Sequence, residues 1–272
     1  MSKRRSQQLQ ILILSALILS VLVFGFTIKQ DSLCIDFANK NIGPSAGHLF
    51  GFDSYGRDLF LRVAKGLYLS CSLALVAICI SLCIVLIIVM ILVAKPSKKH
   101  LLIDKIIELF LSVPQMVLLI LISVACGKGY LGVVLGIAFT HWAKLARLVK
   151  TECSQILVEP YILASRKLGK SWFWILIHHV LPHLFSQIAV NLVLLFPHAI
   201  IHESTMSFLG FGLGLQSCAI GVILSEATSK LGQGYWWQWL FPGLSLSLLV
   251  LGLWSLGKKI LGYRSPYKEK RR

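Results

Sequence analysis

The sequence predicts an all-α, polytopic membrane protein with about six transmembrane helices. Three observations carry that prediction. Only 14% of the 272 residues are charged and 56% are hydrophobic, whereas about a quarter of a typical soluble domain is charged. Apolar runs of about 20 residues recur along the chain, enough at 1.5 Å per residue to cross a hydrocarbon core of about 30 Å. Most of the 27 Lys and Arg residues lie between and beyond those runs, where they set topology, and not on a compact face suited to nucleic acid.

The first run, residues 9–28, follows Lys3, Arg4 and Arg5. It is longer than a signal-peptide core and no A-x-A site follows, so an uncleaved first span is expected. Residues 70–94 form the second run and hold no charge; residues 106–125 form the third, with Glu108 near its start. The fourth, 131–149, is interrupted by His141, Lys144 and Arg147; the fifth, 185–208, carries His198, His202 and Glu203; residues 240–261 close the set. Backbone groups in lipid must bond internally, so spans are helices or a closed barrel, and runs of this length without alternation are helices.

With the N-terminus placed inside, 20 of the 27 basic residues fall in inside segments: Lys3 to Arg5, four lysines at 95–105, six basic residues at 144–170, and seven at 258–272. That bias puts both termini in the cytoplasm and makes the number of spans even. The seven cysteines include no C-x-x-C pair and mostly sit within apolar runs, where Cys behaves as a small hydrophobe. Neither zinc ligation nor a disulfide framework is expected.

The loop from 152 to 182 lies inside by this count. It carries a short helical pattern at 160–168, then Gly169, then an amphipathic stretch ending in Leu181-Pro182. Gly169 permits a sharp turn, and Pro182 suits a kink or a helix start. By pattern alone, an interfacial helix that only anchors the loop fits equally well.

Leu163-Ala164-Ser165-Arg166-Lys167-Leu168-Gly169, followed by Val180-Leu181-Pro182, resembles the EAA or coupling loop of ABC-importer permeases. Ala164, Gly169 and Pro182 match; Ser165 replaces the second Ala, and Leu163 stands where Glu is usual, with Glu159 nearby. Before the second run, Gly51-Phe52-Asp53-Ser54-Tyr55-Gly56-Arg57-Asp58 is similar to the G-T-D-x-x-G-R-D segment of dipeptide, oligopeptide and nickel permeases. Read without the resemblance, it is a polar, Gly-turned external loop with Asp58 paired to Arg57 or Arg62. Glu203-Ser204-Thr205-Met206-Ser207-Phe208-Leu209-Gly210 and Phe241-Pro242-Gly243 resemble two further segments of the same family. Toward the C-terminus, Gly257-Lys258-Lys259-Ile260-Leu261-Gly262 lacks the acids usual there. The chain is thus identified as a member of the peptide/nickel ABC-importer permeases, nearest the C-type subunit.

The resemblance implies a first helix within 1–28, an external loop at 29–69, and a permease core at 70–272 with a cytoplasmic coupling helix between the fourth and fifth spans. It implies four kinds of partner: a second permease, two cytoplasmic ATP-binding subunits, an extracytoplasmic binding protein and membrane lipid, with no nucleic acid. It places the chain in a bacterial inner membrane. No cofactor is expected in this chain: no G-x-x-x-x-G-K-[ST] motif is present, and ATP is implied to bind the partner subunits.

Intramembrane ionisable residues are costly and mark functional sites. His198 and His202 stand four apart on one helix face beside Glu203, and the three are taken as path residues. An i, i+4 His pair suits a transition metal such as nickel; hydrogen bonding between helices is the alternative. His178, His179 and His183 read as interfacial. A secondary transporter is disfavoured by the lack of an internal repeat, and an intramembrane metalloenzyme by the lack of H-E-x-x-H spacing.

Overall fold

The computed structural model describes residues 2–29, 34–94 and 99–264. Lys95, Lys98, Lys268, Lys270, Arg271 and Arg272, which entered the charge count, lie outside the described residues. In order the helices are α1 (Ser2–Thr27), α2 (Leu59–Ala94), α3 (Lys99–Ser112), α4 (Gln115–Ala125), α5 (Gly129–Leu157), α6 (Pro160–Lys167), α7 (Trp172–Ile175), α8 (Leu181–Phe208), α9 (Ile220–Thr228) and α10 (Trp237–Arg264). A π-helical turn, Leu176–Val180, joins α7 to α8. Among the described residues there is no β-strand, only an isolated bridge between Phe52 and Asp58.

Among the described residues, five stretches are long and apolar enough to cross a membrane, and α3 with α4 makes a sixth if that bent pair is one span. The expected count therefore holds, but three elements differ from expectation. The third span is not straight: α3 and α4 meet at 95°. The break falls at Pro114, which lacks the N–H a continuous helix needs and pushes Val113 out of helical geometry. The second helix begins at Leu59, well before the charge-free run, and its 36 residues measure about 54 Å at 1.5 Å per residue. Finally, α9 is a nine-residue helix in a segment for which no span was expected.

Helix α2 is the central post, packed against α1, α5 and α8. On α5, Gly132 and Gly136 face α4 so closely that a Cβ would lie 2.7 Å from the Ser123 carbonyl oxygen and 3.0 Å from that of Leu119. Small residues four apart give this close helix approach in lipid, where dispersion rather than water exclusion drives association. Ser81 Oγ on α2 donates to the Ala138 carbonyl of α5 at 2.9 Å. One apolar cluster, including Leu59, Val133, Ile137, Ile200 and Ile220, fills the α9 end of the bundle. A second, with Val89, Leu145, Ile156, Ile162, Ile175 and Leu184, fills the α6 end. Leucines such as Leu12, Leu121 and Leu248 remain more than half exposed, as expected where lipid is the solvent.

Candidate functional site

Three sets of residues singled out in the sequence occupy three levels of the bundle. The first is at the α6 end. Helix α5 stops at Leu157 and α6 starts with Pro160 in its first turn, where a missing N–H costs nothing. Glu159 is the N-cap residue, but its side chain makes no capping bond; its charge still lies at the positive end of the helix dipole. Helix α6 ends in a Schellman motif: the Lys170 N–H donates to the Ser165 carbonyl at 3.1 Å and the Gly169 N–H to the Arg166 carbonyl at 3.0 Å. That closure needs a left-handed residue at Gly169, which has φ +77°.

Ile162 is fully buried and pins α6 to the bundle, whereas Tyr161, Leu163 and Leu168 are exposed. Ala164 is exposed beside them and Ser165 half-buried. Ser165 Oγ donates to the Tyr161 carbonyl at 2.9 Å and lies 3.3 Å from His179 Nε2. His179 sits in the π-turn, so it links α6 to the base of α8. Pro182 stands in the first turn of α8. The Leu181 N–H reaches back to the Leu176 carbonyl, a π-type bond just before the proline, where such bulges mark functional segments.

The second set is at the α9 end. Asp53 is buried. Its Oδ1 accepts from the Tyr55 and Arg57 N–H groups at 2.7 and 2.9 Å. Its Oδ2 accepts from Arg57 Nε at 2.7 Å and Arg62 Nη1 at 2.5 Å. Glu226 of α9 takes the other side, with Oε2 at 2.8 Å from Arg62 Nη1 and 3.2 Å from Arg57 Nη2. Arg62 is 0% exposed. Asp53, not Asp58, is therefore the acid that pairs with both arginines. Asp58 instead accepts from the Leu61 N–H at 3.1 Å at the start of α2 and contacts His48 Nδ1 at 2.6 Å. Gly51 and Gly56 turn the loop at φ +68° and +73°, and a Cβ on Gly56 would lie 1.6 Å from the Asp36 carbonyl oxygen. Glu226 escaped the sequence reading because its helix is too short to register as a span; Arg62 was visible as a possible partner of Asp58.

The third set lies inside the bundle. His198 and His202 have different surroundings on α8. His198 is exposed and lines a cavity of about 160 Å³ with Lys144 and Asn191. His202 is half-buried, with Nδ1 2.8 Å from Met116 Sδ of α4. Its ring stands edge-on to that of His141 of α5, centroids 5.2 Å apart. Glu203 does not join them. It is fully buried on another side of α8, where its carboxylate accepts from Ser207 Oγ at 2.8 Å and Ser204 Oγ at 3.3 Å. Lys144 Nζ donates to Gln115 Oε1 at 2.5 Å. Met116 and Gln115 carry no sequence signal beyond their place after Pro114, the residue that breaks the third span. No group of three His, Cys, Asp or Glu side chains able to hold a metal occurs among the described residues.

Residues 87–257 match the family described as binding-protein-dependent transport system inner membrane component. The chain belongs to that family. The dipeptide transport system permease DppC of Bacillus subtilis strain 168 is 31% identical over 80% of this chain and 68% of its own length. The oligopeptide transport system permease OppC of the same organism is 27% identical over 94% and 85%. The nickel transport system permease NikC of Escherichia coli K12 is 25% identical over 98% and 96%. This permease is therefore an inner-membrane, multi-pass component of the peptide/nickel group of ABC importers. Its family match runs from α2 to α10 and spans the α6 junction and the interior cluster; the buried charge cluster draws only Glu226 from within it.

Proposed function

We propose that this permease carries nickel or another transition metal, free or chelated, along a path it forms with a second permease. An external binding protein delivers the substrate. Two cytoplasmic ATPases close on ATP and push on α6, which engages them through its exposed Tyr161, Leu163, Ala164 and Leu168 face, with Glu159, Ser165, Gly169 and Pro182 shaping the junction. Both termini lie in the cytoplasm, in line with the charge bias. The push switches the bundle between two rigid-body states. This chain moves substrate and leaves ATP hydrolysis to its partners.

The observation behind the metal reading is His202 set against His141 and Met116 within the span region, because imidazole and thioether groups suit transition metals. A di- or oligopeptide substrate is the second reading, favoured by the names of the Bacillus relatives. Uptake of radioactive nickel, with and without the gene and competed by a dipeptide mixture, separates the two. Gene-dependent uptake that peptides leave unchanged supports metal. Unchanged nickel uptake with lost growth on peptides refutes it.

A further inference from the structure

We propose that His141, His202 and Met116 form a three-donor transit site for a borderline or soft transition-metal cation that has shed its carrier. This rests on the metal reading above and narrows it from a histidine pair on one helix to donors on α4, α5 and α8.

The tautomer of His141 is the starting point. Its Nδ1 lies 3.0 Å from the Ile137 carbonyl oxygen. A carbonyl only accepts, so Nδ1 carries the proton and Nε2 carries the lone pair. Gln115 Nε2 at 3.4 Å and Thr140 Oγ1 at 3.2 Å are the other neighbours of Nδ1. Nε2 is buried without a hydrogen-bond partner among the described residues. A backbone carbonyl on one ring nitrogen with the other left free is how metal-binding histidines are commonly oriented.

The spacing also fits. A metal about 2.0–2.1 Å from each nitrogen places two shared imidazoles with centroids up to about 6 Å apart; the His141 and His202 centroids are 5.2 Å apart. Met116 Sδ contacts His202 Nδ1 at 2.8 Å, closer than two ligands of one metal stand, and supplies a thioether once that contact opens. Two imidazoles and a thioether disfavour hard ions such as magnesium. His141 lies near the middle of the fourth apolar run, 131–149. Passage requires binding weak enough for release. The Lys144 ammonium, tethered to Gln115 beside His141, opposes a bound cation and keeps its stay short.

The test replaces the gene in its own cells with M116L, M116C and H202Q, and measures uptake of radioactive nickel and cobalt at equal membrane abundance of the permease. Leu conserves the volume of Met without a donor, whereas Cys gives up volume and keeps a sulfur. The expected result is a fall of at least tenfold in M116L and H202Q, with M116C retaining more uptake than M116L. Wild-type uptake of either metal that persists in M116L, or falls further in M116C than in M116L, overturns the site and leaves the metal reading standing. Absence of gene-dependent uptake of both metals overturns both.

Discussion

Replacing Gly169 with Val isolates the role of the Schellman closure at the end of α6. A Cβ there meets nothing within 4 Å, so the substitution carries no clash and its whole cost comes from φ +77°. Holding a non-glycine residue in the left-handed region costs about 1–2 kcal/mol, and a β-branched side chain lies at the upper end. Each kcal/mol is about a fivefold change in population. The closed cap therefore becomes about 5–30 times less favoured relative to frayed forms, while Ile162 keeps α6 anchored. The expected outcome in vesicles containing the assembled importer is a permease present at normal level, with ATP hydrolysis retained and uptake per ATP reduced at least fivefold. G169N, which tolerates the left-handed region, should stay within about twofold of wild type. Wild-type transport in G169V would refute the assignment of 152–182 as the coupling loop.

Other outcomes follow from the same geometry. D53N takes the charge from a buried acid that serves two arginines, and breaking a buried pair costs about 3–5 kcal/mol; the level of folded protein in membranes should fall sharply, whereas D58N should fall less. G136L drives a side chain toward the Leu119 carbonyl 3.0 Å from the Cβ position and should separate α4 from α5, read as a loss of thermal stability in detergent, whereas G47L, at an open position without a positive φ, should leave stability near wild type. H179A removes the contact to Ser165, a bond worth about 0.5–1.5 kcal/mol, and should lower coupling less than G169V does. A cysteine at Ser229 should react with an impermeant maleimide in intact cells, and one at Lys170 only after permeabilisation; the reverse pattern would invert the proposed orientation.

The spans were legible because each is a long apolar run, and bilayer thickness converts run length directly into a crossing. Helix α6 and its end were legible too, since Pro160 and Gly169 are local signals for a helix start and stop. The bend at Pro114 was hidden because the apolar run continues through it; hydropathy reports which solvent a segment faces, not its direction. The first turns of α2 were missed because Arg62 and Lys65 interrupt the apolar run, yet Arg62 is buried by partners elsewhere in the sequence. Glu226 and Met116 belong to contacts between segments far apart in the chain. Such contacts depend on helix rotation, which neither composition nor spacing specifies. The pairing of His202 with His141 is of this kind, whereas the i, i+4 spacing from His198 was readable along one helix.

The charge cluster around Arg62 also has a bearing on biosynthesis. Arg62 and Glu226 are 164 residues apart, and translation at about 5–20 residues per second separates their emergence by about 8–33 s. During that interval the guanidinium has Asp53 and Arg57 for company but no second acid, and the loop that holds it cannot be fastened to α9. The nascent permease therefore stays unlatched on that face until its penultimate helix is made, which leaves a window in which insertion factors or membrane proteases can act on an incomplete chain.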